Sequence, residues 1–185
     1  MEDLVKEPDA EAAELERLLS NIGTGDKEAL GELYTRTHAA VYALALSVMA
    51  NAHDAEEICH DAYLRIWDYA SSYKAKGSPM AWIMAVTRNL CLMELRRKKR
   101  RKDMSEDEWN AIPADSRGLD AEDRALLQWA LGSLDGPSRQ IVLLHAVAGL
   151  KHREIAKLLG LPQNTVLSKY SRAIAKMRAG LEKGE

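Results

Sequence analysis

Three clusters of residues in the chain have types and spacings suited to chemistry. The first is His53, Glu57 and His60, at i, i+4 and i+7, where Glu57-x-x-His60 has the form of one ligand pair of a carboxylate-bridged di-iron site. Such a site needs that pair twice, with two further glutamates on facing helices, and the chain has no second Glu-x-x-His. A surface metal site is the most this cluster offers. The second cluster is Trp82, Asn89 and Arg96, seven residues apart, with Arg88 alongside. An indole beside an amide and guanidinium groups suits a polyanion, and the unbroken basic run Arg96–Lys102 follows directly. By charge alone that run equally fits a solvated, self-repelling linker. The third cluster is Gln163, Asn164, Ser168, Lys169, Ser171, Arg172 and Lys176, side chains of the types that bond to phosphates and base edges. His145 and His152 stand alone, with core or capping roles. There is no Gly-rich phosphate loop, no Gly-x-Ser-x-Gly and no Cys/His nucleophile pattern, so neither an enzyme nor a cofactor is expected.

The elements that must position these clusters read as helices throughout. The N-terminal stretch 1–22 is an acidic leader in which LERLLSNI has the pattern of a short amphipathic helix. Gly23 to Asp26 breaks the chain and supplies an N-cap. From Lys27 the periodicity of Ala29, Leu30, Leu33, Val41, Leu44 and Val48 predicts one long helix or two joined ones. Asn51 to His53 ends it, and Asp54 caps a helix over Asp54–Tyr69. A polar loop, Ser71–Pro79, leads to the helix from Pro79, with Ser78 as N-cap and proline at the first helical position, where it costs nothing. That helix is apolar on nearly every side, with Ile83, Val86, Leu90 and Met93 in one stripe and Met84, Cys91 and Leu95 in another; such helices are normally buried.

Residues 102–121 mix charge, Pro, Gly and Ser without period, about 20 residues that suit a linker between two units, with Trp109 and Ile112 as candidate docking points. Beyond it, helices are expected over Arg124–Leu134 and Arg139–Ala148. A short helix at Lys151–Leu159 is closed by Gly160 and followed by a longer basic helix, Gln163–Leu181. Short helix, Gly-containing turn and polar second helix make a helix-turn-helix, with Ile155, Ala156, Leu159, Leu161, Val166 and Ile174 as its small core. The domains are therefore drawn as leader 1–22, helical unit 23–101, linker 102–121 and helix-turn-helix unit 122–185.

Composition agrees. The 185 residues are 46% hydrophobic with no Phe, enough for a core of Leu, Ile, Val, Met and Ala. The net charge of −2 hides a segregation, acidic at the start and basic at Arg96–Lys102 and in the last third, that favours nucleic-acid contact. Cys59 and Cys91 form neither zinc spacing nor a disulfide framework, which fits a reducing cytoplasm. The acidic first segment is not expected to act as a secretory signal, and no apolar run approaches the roughly 18 residues of a membrane span.

Two pieces resemble one family, the extracytoplasmic-function (ECF) bacterial RNA polymerase sigma factors. DAEEICHDAYLRIW at Asp54–Trp67, followed by PMAWIMAVTRNLCLMELRRKKR, is similar to the family's first conserved domain, region 2. LKHREIAKLLGLPQNTVLSKYSRAIAKMRAGL is similar to its C-terminal region 4. The resemblance implies an all-α protein of two small helical domains on a flexible linker. It implies partners as well: core polymerase, through its β′ and β subunits, promoter DNA and an anti-sigma factor. Glu56, Asp61, Arg65 and Trp67 are then expected to meet core polymerase. Tyr73, Lys74, Trp82, Arg88, Asn89 and Arg96 are expected to capture the melted minus-ten strand, since unstacked bases need aromatic or amide platforms beside a cationic track. Gln163, Asn164, Thr165, Ser168, Lys169, Ser171, Arg172 and Lys176 are expected to read the minus-thirty-five element. The chain departs from the family at Asn164, where Gly is usual, at Leu167, commonly basic, and at Ser171, often aromatic or apolar.

Two other functions fit parts of the sequence. One is a helix-turn-helix regulator whose N-terminal helices sense a signal or dimerise. The other is a metal-binding helical enzyme built on His53, Glu57 and His60. A sensor domain gives no reason for the Trp/Asn/Arg-edged basic helix, and the enzyme lacks ligands.

Overall fold

The computed structural model describes residues 8–75, 78–101 and 132–181. The expected linker, its Trp109 and Ile112, and most of the helix expected at 124–134 lie outside the described residues. Those described form seven α-helices: α1 Pro8–Gly23, α2 Lys27–Met49, α3 Ala52–Tyr69, α4 Pro79–Arg101, α5 Gly136–Ala146, α6 His152–Leu159 and α7 Gln163–Leu181, with one 3₁₀ turn at Ala70–Ser72.

Helix α1 includes the amphipathic pattern expected at 15–22 and begins earlier, at Pro8, inside the stretch read as an acidic leader. Leu15, Leu18, Leu19 and Ile22 repeat at helical spacing and are all at most 2% exposed, so this acidic stretch carries a full apolar seam. Its charges lie outside that seam: Arg17 donates to both carboxylate oxygens of Glu14 at 2.9 and 2.7 Å, and Arg36 of α2 pairs with Glu32 and Glu11. Asp26 caps α2, accepting from the amides of Glu28 and Ala29. That helix ends at Ala50, which takes φ 54°, a left-handed conformation that glycine adopts without a Cβ penalty.

The cap of α3 is Asn51, whose side chain accepts from the Asp54 amide at 3.0 Å. This corrects the expectation of Asp54 as the cap; the helix starts earlier because the Asn51 amide oxygen reaches that donor first. Ser78 does cap α4, accepting from Ala81 at 3.2 Å.

Helix α2 is the centre of the molecule. It packs against α1, α3, α4 and α5 and buries Leu33, Val41, Leu44 and Ala45 completely or nearly so, each large side chain contributing roughly 1.5–3 kcal/mol. The buried Thr37 hydroxyl lies 2.8 Å from the Tyr63 hydroxyl of α3 and donates to the Leu33 carbonyl, so both polar groups are satisfied. In the C-terminal half, Asp135 caps α5 by accepting from the Ser138 amide. Glu154 accepts from the Lys151 amide at the start of α6. Gly160, at φ +67°, makes the left-handed turn into α7.

The two halves do not sit apart. Helix α5 lies on α2 and α6 on α4, and Ile141, Leu144, Leu150, Ile155 and Val166 join the same continuous apolar core as the N-terminal helices. No helix among the described residues is long and apolar enough to cross a membrane.

Candidate polymerase and nucleic-acid interfaces

Between α3 and the C-terminal half of α4 runs an open groove of about 1080 Å³. Ile58, Leu64, Leu90 and Met93 form its apolar floor. Asp61, Arg65 and Asp68 line one side, and Arg96, Arg97, Lys99 and Arg100 the other. The groove exists because α4 is buried only in its first half. Ile83, Met84, Thr87 and Cys91 are fully enclosed, whereas Met93 is 55% and Leu95 38% exposed. The two apolar stripes thus lose their cover over the last two turns. There the neighbouring arginines stay in water and keep the helix edge open, and Lys98 pins that end to Asp54 at the start of α3. Leu64, itself 51% exposed, is not among the site residues expected from the sequence.

Of the residues expected to meet polymerase, Asp61 and Arg65 line this groove. Glu56 is exposed one and a half turns away, and Trp67 is half-buried against the core. Arg65 also lies over the Tyr69 ring, 5.9 Å from its centroid.

The expected single-strand residues follow one edge of α4. Trp82 and Tyr73 meet edge to face with centroids 5.3 Å apart, and both pack partly on the core. Burial, then the nearby Glu16 carboxylate, push the Tyr73 phenol above its ordinary pKa. Beyond this pair, Asn89 and Arg96 are exposed and Arg88 is half-buried. From Trp82 to Arg96 the edge is about 21 Å long at 1.5 Å per residue. Lys74 is exposed in the preceding loop.

The recognition helix α7 is sharply two-sided. Val166 and Ala173 are buried, while Gln163, Asn164, Leu167, Ser168, Ser171 and Arg172 face water. Thr165 is half-buried, and its amide donates to the Pro162 carbonyl. Two of the expected DNA-binding cations are turned away from this face: Lys169 approaches the Asp135 carboxylate at 3.4 Å, and Lys176 donates to the Ser133 carbonyl. Both acceptors lie just before α5, beside a small hollow lined by Asp135, Ser138, Lys169, Arg172 and Lys176.

His145 and His152 do not stand alone. Their rings stack with centroids 4.4 Å apart at 24°, and the Tyr170 ring meets both edge-on. The His145 Nδ1 is 2.8 Å from the Leu150 carbonyl. Near-parallel rings do not converge on one ion. Desolvation, then His145, lower the His152 pKa. His53 and Glu57 form an exposed 3.5 Å pair, and no metal-binding group of three or more His, Cys, Asp or Glu occurs among the described residues. Burial pushes the Cys59 and Cys91 thiols up to about 12, so neither is a ready nucleophile at neutral pH.

An apolar groove with charged walls, a basic aromatic-edged helix and a helix-turn-helix on one chain find their match in known proteins. Residues 33–101 match Sigma-70 region 2, and residues 124–177 match Sigma-70 region 4. The ECF RNA polymerase sigma factor SigK of Mycobacterium sp. (strain KMS) is 30% identical over 84% of this chain and 84% of its own length. The chain belongs to the ECF sigma factors. SigK of Mycobacterium ulcerans (strain Agy99) is 28% identical over 95% of this chain and 97% of that protein. Among solved structures, the sigma factor RpoE of Bartonella quintana, in complex with the anti-sigma factor NepR, superposes with a TM-score of 0.69 at 25% identity. That superposition spans 85% of this chain and 98% of the other, and so takes in both halves of the ECF sigma fold.

Proposed function

We propose that this sigma factor directs core RNA polymerase to specific promoters, assists melting at the minus-ten element, and is held inactive by an anti-sigma partner. Catalysis plays no part in this reading: the chain selects and melts DNA, and the polymerase performs the chemistry. The observation that carries it is the pairing on one chain of the α3/α4 groove with the helix-turn-helix, in the order of regions 2 and 4. The groove's apolar floor and charged walls suit a helical surface of the polymerase β′ subunit, with Leu64 and Met93 as anchors and Asp61 and Arg65 fixing orientation. The Tyr73/Trp82 pair, Asn89, Arg88 and Arg96 form the platform for the melted strand, bases stacking or hydrogen-bonding while the arginines follow the backbone. Glu56 and Trp67 flank the polymerase face, and Lys74 extends the cationic track.

The packed arrangement of the two halves bears on control. Elements ten and thirty-five base pairs upstream lie about 25 base pairs apart, roughly 85 Å of duplex at 3.4 Å per step. One continuous core cannot span that distance, so the α5/α2 and α6/α4 contacts must part before both elements are read. The RpoE–NepR complex has an anti-sigma factor bound, and its similarity across both halves supports a partner that stabilises the closed form here.

Run-off transcription with purified core polymerase tests the reading. Promoter-specific transcripts should appear only when the chain is added, and the chain alone should bind duplex promoter DNA weakly. Tight duplex binding without polymerase, and no promoter-directed transcript, would instead mark a regulator.

A further inference from the structure

Tyr73 has a neighbour that the sigma reading leaves without a task. Helix α1 ends at Gly23, ahead of the stretch 33–101 that matches region 2, and it lies against the 3₁₀ turn Ala70–Ser72. The approach is close. A Cβ placed on Gly23 would stand 3.1 Å from both the Cα and the amide nitrogen of Ser71, and 3.3 Å from the Ala70 carbonyl carbon. These are backbone atoms, so no side chain can swing aside to make room. Glycine at this position answers a need for space, letting two stretches of backbone meet.

The turn leads directly to the single-strand platform. The Tyr73 amide donates to the Ala70 carbonyl at 3.0 Å, which ties Tyr73 to the turn, and the Tyr73 ring meets Trp82 of α4 edge to face. Helix α1 reaches the same residue a second time through Glu16, whose carboxylate, after burial, helps raise the phenol's pKa. Leu15, Leu18, Leu19 and Ile22, each at most 2% exposed, fix α1 on the core. A backbone contact and a side-chain contact thus join one buried helix to one platform residue.

We propose that α1 is a positioning element for the melted strand, with Gly23 seating the Ala70–Ser72 turn so that the Tyr73/Trp82 pair stands where an unstacked base can lie on it. Gly23 touches no DNA and acts through Tyr73. The proposal rests on the sigma reading and adds to it a role for a helix that precedes the matched region.

The test is a double-mutant cycle on the full chain assembled with core polymerase. The readout is binding of a fluorescent single-stranded oligonucleotide carrying the minus-ten sequence of a promoter found by run-off transcription. Gly23→Val should weaken that binding at least about fivefold, the lower end for one lost stacking contact, and Gly23→Ala by less. Core-polymerase affinity should hold in both, and the melting temperature should hold in Gly23→Ala, since alanine at an unobstructed helical glycine is neutral or stabilising. If valine unfolds the chain, alanine carries the same comparison at smaller amplitude. In a Tyr73→Ala background the Gly23 substitution should have no further effect, because two positions acting through one contact are not additive. Losses that add in the double variant, or binding unchanged in both Gly23 variants, overturn the proposal and leave the sigma function standing. A fall in core affinity equal to the fall in oligonucleotide binding also overturns it, since α1 would then support the fold as a whole. Absence of any promoter-directed transcript with the wild type overturns both.

Discussion

Helices α4 and α7 are both rich in basic residues, yet the fold treats their charges in opposite ways. In α4 the first half is enclosed by α1, α2 and α3, and the cations gather at the far end, where Arg96, Lys99 and Arg100 open onto the groove. In α7 the cations are spread along the helix, and two of them are drawn back to the start of α5 by Asp135 and Ser133. A cluster of free cations on α4 suits general attraction to a phosphate backbone and a charged protein surface. The outward residues in the first two turns of α7, Gln163, Asn164, Leu167 and Ser168, carry no charge and suit discrimination between bases. Counting basic residues locates a nucleic-acid-binding helix, while the partners of those residues decide what the helix reads.

The most damaging single change to this contrast lies in the enclosed half of α4. Ile83→Ala should lower unfolding free energy by about 3 kcal/mol through lost burial and cavity formation, measured by urea denaturation. A loss under about 1 kcal/mol, below the usual range for such a truncation, would mean this half of α4 is not the packed anchor described. In the open half, Leu64→Glu with Met93→Glu should weaken core-polymerase binding by more than about tenfold, because hot-spot anchors typically contribute at least about 2 kcal/mol. Both side chains are half exposed, so the melting temperature should hold, and a pull-down with core subunits alongside a thermal melt separates the two effects.

Smaller effects sharpen the α7 side. Asp135→Ala removes both the α5 cap and the Lys169 partner, and should cost about 1 kcal/mol while freeing Lys169 to strengthen non-specific DNA binding at low salt. If DNA binding is unchanged, Lys169 was never diverted. The His145/His152 stack adds a pH dependence to the same unit. The His152 pKa is lowered in the fold by desolvation and by His145, so the neutral form is favoured there. The resulting stability is intact above the unfolded value of about 6.5 and falls as pH drops below it. Thermal melts from pH 8 to 5.5 should show a drop that His152→Gln flattens; an equal drop in the variant would assign it to other groups. The smallest expected effect is at Ala50, where φ is 54°: Ala50→Gly should stabilise by roughly 0.5–1 kcal/mol, since glycine takes that conformation without strain.

Much of this is legible in the sequence where local rules act alone. The helix at Pro79 with its Ser78 cap, the Gly160 turn, and the two-sided pattern of α7 follow from periodicity and capping chemistry within a few residues. What sequence does not reach depends on partners distant along the chain. The Leu15–Ile22 seam of helix α1 shows as an amphipathic pattern, but the helix's first two turns from Pro8 read as leader because their residues are mostly acidic or small, with no apolar repeat. Met93 and Leu64 line one groove because α3 and α4 lie side by side, and neither pattern alone says so. Lys169 and Lys176 have the right types for DNA, and only the placement of α5 shows that their charges are answered from within. His145 and His152 meet only after the α5–α6 turn folds them together.

The division of labour along α4 is the central claim, and one pair of substitutions tests it most directly. Asn89→Ala with Arg88→Ala removes the amide and a cation from the single-strand edge while leaving Leu64, Asp61 and Met93 in the groove untouched. Open-complex formation, read by permanganate reactivity of melted thymines at a cognate promoter, should fall at least about tenfold, as expected for lost base contacts of roughly 1–3 kcal/mol each, with core-polymerase affinity unchanged. If polymerase affinity falls in parallel with melting, these residues hold the helix in place and the edge of α4 is not a separate DNA-binding surface.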